Sequence, residues 1–120
     1  MTDLGRLRTR ALGAIEERRD ALIELSLAIH DTPELGFQER HAAARLTSFL
    51  EGDGFHVTHA YCGIETAYRA DAQGKAPGPR VALLAEYDAL ADLGHGCGHN
   101  LIAMIGVAAA VAVREVMADL

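Results

Sequence analysis

The sequence predicts an α/β fold in which helices pack on a small mixed sheet. Apolar residues recur at spacings of three, four and seven in the first part of the chain, which is typical of an amphipathic helix. Short alternating or continuously apolar segments follow, bounded by glycine and proline, as is typical of strands. A long apolar stretch near the end predicts another helix. The 120 residues are 50% hydrophobic, so they can support the core of one layered domain.

Three helices are predicted. The first begins at a cap formed by Thr2 or Asp3 and ends before Pro33, because the residue that precedes a proline avoids helical angles. The second covers residues 39–50, and the last covers residues 100–117. The predicted buried stripes of the first two helices consist of Leu4, Leu7, Ala11, Ile15, Leu22, Leu25 and Ile29, and of Ala42, Ala43, Leu46, Phe49 and Leu50.

Three strands are predicted, over residues 55–59, 65–69 and 80–86. The third is continuously apolar, which indicates a strand covered on both faces at the centre of the sheet. Ligands of such sheets bind beyond the carboxyl ends of the strands, which is where residues 86–100 lie. The last helix is apolar on nearly every side, so several neighbours have to surround it, and this chain supplies few.

Charge and composition narrow the classes of partner. A net charge of −6 and a pI near 5.4, without basic runs, argue against nucleic acid and anionic membrane. Cys62 and Cys97 are expected to be reduced thiols, and no secretory or transit leader is recognised, so the expected location is the cytoplasm. The apolar run 101–113 is too short to cross a bilayer and is expected to be a buried core helix.

Metal-capable side chains are concentrated where the third strand leads to the last helix. His95, Cys97 and His99 alternate with glycines, so an extended backbone would place all three side chains on one side. Thiolate and imidazole are good ligands for zinc. Glu86 and Asp88 could complete the set or accept a hydrogen bond from an imidazole N–H. This density of groups predicts a metal site or a catalytic site.

Alternatives stay open at this point. His95 could pack in its loop or bind metal, and Cys97 could be the nucleophile of a thiol hydrolase. The chain could also be a non-catalytic metal-binding or interaction module. Upstream, Glu34 and Glu39 are interpreted as helix caps or dipole partners rather than catalytic acids, and His30 as a residue at a helix end.

Three motifs carry a resemblance to a known family. Ala85-Glu-Tyr-Asp-Ala-Leu90, followed by Gly94-His-Gly-Cys-Gly-His-Asn100, resembles the metallopeptidase family of aminoacylases, glutamate carboxypeptidases and auxin-conjugate amidohydrolases. The branch it is most similar to contains aminobenzoyl-glutamate hydrolases and related dipeptidases. The segments 29–39 and 63–66 also resemble that family. The resemblance spans nearly the whole chain.

The resemblance implies a metal-dependent amidohydrolase. Residues 1–120 would form the N-terminal portion of a zinc-peptidase-like catalytic domain, without its lid or dimerisation domain and its C-terminal half. By position, Cys97 and His99 match metal ligands, with Cys97 bridging two ions, and Asp88 matches the acid that supports the site. The implied cofactor is a divalent metal, zinc first, with manganese or cobalt as alternatives.

The implied substrates are N-acyl amino acids, aminobenzoyl-glutamate-like compounds or dipeptides, and a homo-oligomer is allowed. The roles of Glu86 and His95 are not assigned by the resemblance. Ala91 and Asn100 depart from the residues of many relatives, without removing a ligand. The catalytic glutamates and the remaining ligands of the family would lie beyond these residues, so little activity is expected from the 120 residues alone.

Overall fold

The computed structural model describes residues 3–120. This part of the chain forms an α/β structure of four helices and a two-stranded sheet, which confirms the predicted fold class. One-turn 3₁₀ helices at Tyr61–Gly63 and Met117–Asp119 follow β1 and α4. The elements are α1 (Leu4–Glu17), α2 (Arg19–Asp31), α3 (Arg40–Gly52), β1 (His56–His59), β2 (Tyr68–Asp71) and α4 (His99–Val116).

The predicted first helix is divided in two at Arg18. Its start is capped by the Asp3 carboxylate, which accepts a hydrogen bond from the Arg6 N–H at 3.1 Å; the alternative cap, Thr2, lies outside the described residues. Arg18 leaves the helix, and its guanidinium donates to the Ala14 carbonyl and binds the Asp53 carboxylate. Apolar spacing continues across the break, so periodicity could not reveal it.

The core lies between α2, α3 and α4. Ile29, Leu46 and Ala103, one from each helix, are 0% exposed. Burial of these apolar surfaces is the main stabilising contribution in this part of the chain. The predicted stripes supply most of the core, but Leu4, which was predicted to be buried, is 70% exposed. The buried residues of the cluster are Leu22, Leu25, Ile29, Ala42, Leu46, Leu50, Ala103, Val107 and Ala108.

The sheet is smaller than the predicted one and is antiparallel instead of mixed. β1 and β2 pair antiparallel, with His56 opposite Asp71 and His59 opposite Tyr68. β2 begins later than predicted, because the Ala67 N–H donates to the Ile64 carbonyl and closes a turn there. The described residues contain one parallel pairing, an isolated bridge between Leu35 and Ala89.

The prediction of a central strand over residues 80–86 is wrong for this chain. The segment has no regular secondary structure, and Val81 and Leu84 are 77% and 85% exposed. A strand needs a neighbour to pair with its N–H and C=O groups, and no backbone of residues 3–120 pairs with this segment. Apolar composition alone therefore did not produce a strand.

Helix α4 is a core helix on one face only. It packs against α1, α2 and α3 through residues such as Ala103 and Val107, whereas Leu101 and Ile105 remain 51% and 56% exposed. The apolar run 101–113 was predicted to be too short to cross a membrane, but the longer stretch His99–Asp119 could cross one by length and composition. A core helix of a soluble protein has the same properties, so this finding assigns no membrane role.

Candidate metal centre

The candidate site lies where the segment after residue 86 passes the first turn of α4. The Ala89 N–H donates to the Glu34 carbonyl at 2.7 Å, which holds this segment against the connection between α2 and α3. His99 is the first residue of α4 and follows Gly98, whose φ of 76° favours glycine. The fold thus brings Asp88 beside His99, eleven positions later in the chain.

His99 is placed between two carboxylates. Its Nδ1 lies 2.7 Å from Oδ1 of Asp88 and 3.1 Å from the Asp88 carbonyl oxygen, and its Nε2 lies 3.3 Å from Oε2 of Glu86. The His99 side chain is 23% exposed, whereas that of Glu86 is 67% exposed. The cluster is therefore partly sheltered and open to solvent on the Glu86 side.

A carboxylate oxygen faces each of the two ring nitrogens of His99. The Asp88 contact is a hydrogen bond when Nδ1 carries the proton, which leaves the Nε2 lone pair directed at Glu86. An imidazole nitrogen and a carboxylate attract at 3.3 Å only when a proton or a metal ion lies on that nitrogen. A carboxylate that fixes Nδ1–H while Nε2 faces outward is the usual support of a metal-binding histidine.

The glycine loop does not adopt the predicted extended backbone. Residues 95–98 form a turn in which the Gly98 N–H donates to the His95 carbonyl at 2.9 Å, so His95, Cys97 and His99 are not aligned along one side of a strand. The Cys97 thiol is exposed. Within residues 3–120 no group of three or more His, Cys, Asp or Glu side chains is arranged to hold a metal ion. The donor set fits a metal in type but is incomplete in number.

His95 packs in its loop, as the packing alternative expects. Its ring stacks on His30, with 6.3 Å between the centroids, and both ring nitrogens are buried without a hydrogen-bond partner. Burial lowers the pKa of His95, and the neighbouring His30 lowers it further, while the Ile29 backbone opposes this shift. His95 therefore favours the neutral form, and its ring contacts α2.

The interpretation of Glu34 as a helix cap is confirmed. Its carboxylate accepts hydrogen bonds from the N–H groups of His41 and Ala42, at 2.8 and 3.0 Å, in the first turn of α3. Glu39 precedes that helix and is only 8% exposed; its carboxylate accepts a hydrogen bond from the Thr66 hydroxyl at 2.8 Å. Both acids are thus engaged within the fold.

Tyr87 and Thr66 make contacts near the site that sequence patterns did not indicate. The Tyr87 hydroxyl donates to the Thr66 carbonyl, and its ring stacks on Tyr68 with 5.9 Å between the centroids. Burial, with the negative charge of Glu39, raises the pKa of Tyr87 to about 12. The one available signal was the position of an aromatic residue between two carboxylates, at residues 86 and 88.

Comparison with known proteins identifies relatives that are hydrolases. The chain is 44% identical over 123 residues to the Xaa-Arg dipeptidase of Mus musculus, covering 96% of this chain and 28% of that protein. It is 41% identical over 120 residues to one subunit of the p-aminobenzoyl-glutamate hydrolase of Escherichia coli, covering 85% and 24%. It is 31% identical over 100 residues to thermostable carboxypeptidase 1 of Saccharolobus solfataricus, covering 72% and 25%. No model of a known protein family matches the chain.

These similarities show that the chain is homologous to hydrolytic enzymes. More particularly, it is homologous to the N-terminal part of the amidohydrolase and peptidase family that includes the dipeptidases, the aminobenzoyl-glutamate hydrolase and the carboxypeptidases. The chain spans 28% of the length of the mouse relative and 24% of the Escherichia coli relative.

Proposed function

We propose that the complete protein hydrolyses an amide bond of a small substrate, using divalent metal ions held in part by Cys97 and His99. The substrate class is a dipeptide, an N-acyl amino acid or an aminobenzoyl-glutamate-like compound. The names of the relatives support amide and peptide hydrolysis as the reaction. Zinc is the proposed ion, with manganese or cobalt as alternatives, because imidazole and thiolate suit these metals.

The observation that carries the proposal is the position of His99 between Asp88 and Glu86. Oδ1 of Asp88 lies 2.7 Å from Nδ1, and a proton on Nδ1 would leave Nε2 available to an ion. Cys97 is exposed in the adjoining turn and would supply a thiolate. A bound metal ion supplies Lewis acidity and a water of lowered pKa.

The residues of this chain orient the imidazole and supply negative charge, but they do not include all the groups that the reaction needs. Asp88 fixes the orientation of the imidazole, and Glu86 adds negative charge on the exposed side. A general base is needed to take the proton from water and return it to the leaving amine. We assign that base and the missing ligands to polypeptide outside these 120 residues, because the chain spans only 28% and 24% of two relatives.

The test measures zinc binding by calorimetry and metal content by elemental mass spectrometry. Cys97→Ala and His99→Ala should each remove or strongly weaken binding. The matched control is His59→Ala, because His59 also lies beside a glutamate, with Nε2 3.2 Å from Oε1 of Glu51, but far from α4 in the sequence. Equal zinc binding by the wild type and both site variants would contradict the proposed ligands.

Activity is assayed on the same samples with an Xaa-Arg dipeptide and with p-aminobenzoyl-glutamate. The 120-residue chain should hydrolyse neither at a useful rate, whereas a longer polypeptide that continues into the region found in the relatives should hydrolyse one of them. In that polypeptide, His99→Ala should abolish the activity. Robust hydrolysis by the short chain would overturn the assignment of the base to other polypeptide.

A further inference from the structure

Both sequence neighbours of Asp88 are tied to the rest of the fold. On one side, the Ala89 N–H donates to the Glu34 carbonyl at 2.7 Å. On the other side, the Tyr87 hydroxyl donates to the Thr66 carbonyl. Asp88 itself lies between these two attachments, and its side chain remains 40% exposed. Its backbone is therefore fixed while its carboxylate is free to contact His99.

The two attachments lead back to carboxylates of the connection between α2 and α3. The carboxylate of Glu34 caps α3 and so fixes Glu34 in place. The backbone carbonyl of the same residue accepts the hydrogen bond from the Ala89 N–H. Glu39 accepts the hydroxyl hydrogen bond of Thr66, whose carbonyl in turn receives the Tyr87 hydroxyl. Glu34 is thus bonded directly to one neighbour of Asp88, and Glu39 is linked to the other neighbour through Thr66.

These contacts are well buried. Thr66 is 4% exposed, Ala89 6% and Glu39 8%. A buried donor or acceptor that loses its partner is destabilising, and more so when it is charged, so these contacts favour one backbone geometry. Exposed contacts, which exchange readily with water, would not impose such a restriction.

We propose that Glu34, Glu39, Thr66 and Tyr87 form an anchor that positions the carboxylate of Asp88 against Nδ1 of His99. The four residues, called the Asp88 anchor below, act through Asp88 and are positioning residues. The importance of this anchor for hydrolysis rests on the proposed function, whereas its effect on His99 does not. It gives the two upstream motifs, residues 29–39 and 63–66, a role at a site that is distant in sequence.

A measurable consequence is the tautomer of His99. With Asp88 Oδ1 at 2.7 Å, the neutral ring should carry its proton on Nδ1. Loosening the anchor should let Asp88 move away, so that the Nε2–H form, which is favoured in free imidazole side chains, becomes populated. The ¹⁵N chemical shifts of the two ring nitrogens report this population directly.

The experiment records ¹⁵N spectra of His99 at one fixed alkaline pH, for the whole 120-residue chain without added metal. Tyr87→Phe, Thr66→Val and Glu39→Ala are compared with the wild type, and His99→Ala assigns the signals. Glu39→Gln keeps an acceptor for the Thr66 hydroxyl and should restore most of the wild-type spectrum. Arg40→Gln is the control, since Arg40 makes an exposed ion pair with Glu65 beside the same connection.

The expected result is a shift of the His99 nitrogen signals toward the Nε2–H form in Tyr87→Phe and Glu39→Ala, and no shift in Arg40→Gln. Urea denaturation of the same samples separates this effect from general loss of stability. Variants that lose stability but keep the wild-type His99 signals would overturn the proposal, since the four residues would then support only the fold.

The outcome is distinguishable from a failure of the proposed function. If zinc does not bind through His99 and no amide is hydrolysed, the metal site is refuted, yet the tautomer shift would still demonstrate the anchor. Conversely, zinc binding with no tautomer shift in any variant would keep the metal site and refute the anchor. If Tyr87→Phe fails to fold, Thr66→Val and the Glu39→Gln and Glu39→Ala pair still test it.

Discussion

Two irregular segments of this chain behave in opposite ways. The connection at residues 32–39 contains two acidic residues, and the carboxylates of Glu34 and Glu39 accept hydrogen bonds from α3 and from Thr66. The segment at residues 80–86 is apolar, pairs with no other backbone of residues 3–120, and leaves Val81 and Leu84 largely exposed. The segment that looked less structured in the sequence is the better fixed one.

The difference shows what each kind of residue requires. A carboxylate near a helix start finds its partners locally, because the first N–H groups of the helix are unpaired and only a few residues away. A central apolar strand requires neighbours on both edges and both faces, and these come from distant parts of a polypeptide. Order in the first segment is therefore local, whereas order in the second depends on what surrounds it.

Hydrogen exchange should give the largest contrast. The amides of His41 and Ala42, bonded to Glu34, should exchange far more slowly than those of residues 81–84, because local opening costs range from about zero up to global unfolding. Mass spectrometry or NMR on the 120-residue chain measures this. Strong protection of residues 81–84 would show that the segment is paired after all. In a longer polypeptide those amides should become protected.

Truncation of apolar side chains should separate covered from uncovered positions. Leu46→Ala, at a side chain that is 0% exposed, should lower the free energy of unfolding by about 2–5 kcal/mol. Leu84→Ala, at 85% exposure, should change it by less than about 0.5 kcal/mol. Urea denaturation followed by circular dichroism measures both. A comparable loss in the two variants would mean that Leu84 is covered in solution.

Removal of single carboxylates should give a smaller contrast. Glu34→Ala deletes two hydrogen bonds to the first turn of α3 and should cost about 1 kcal/mol of stability, as other helix caps do. Glu86→Ala removes an exposed side chain and serves as the control, with an expected change of a few tenths of a kcal/mol. The comparison is made by urea denaturation at neutral pH. If the two variants lose the same free energy of unfolding, Glu34 does not stabilise α3 as a cap.

The smallest effect is expected from the pH dependence of stability at alkaline pH. The pKa of Tyr87 is raised to about 12, so the folded protein keeps a proton that the unfolded chain loses near pH 10. The associated stability is complete below about pH 10 and is lost as the pH rises toward 12. Because burial raises the pKa of Tyr68 as well, Tyr87→Phe should reduce the loss without abolishing it. Thermal denaturation from about pH 8 to about 11.5 measures the loss of stability, and Tyr61→Phe is the control. If stability depends on pH in Tyr87→Phe as it does in the wild type, the raised pKa of Tyr87 is contradicted.

Helices were more predictable than strands, for a physical reason. The buried positions of α2 and α3 were predicted from apolar spacing, and Leu22, Leu25, Ile29, Ala42 and Leu46 are indeed buried. A helix satisfies its backbone groups internally, so its own sequence contains most of the information. The break at residue 18 was missed because apolar spacing continues across it, and the Asp53 carboxylate that binds Arg18 there lies 35 positions away.

The candidate site likewise has features that the sequence predicted and features that it did not. Its residue types and their concentration in residues 86–99 were evident from the sequence, as was the capping role of Glu34. The distances were not: the turn at Gly98 replaced the expected extended loop, and the stacking of His95 on His30 depends on the end of α2. The contribution of Thr66 arises from hydrogen bonds that span 27 and 21 positions.

The sequence by itself determined which segments of this chain are helical, which faces are apolar, and which side chains bring metal-capable chemistry to one short stretch. Those properties depend on local spacing and on side-chain type. Only the tertiary structure decided that Asp88 contacts His99, that Glu34 and Glu39 are linked to the two neighbours of Asp88, and that residues 80–86 remain unpaired. Each of these depends on partners distant in sequence, which no local pattern specifies.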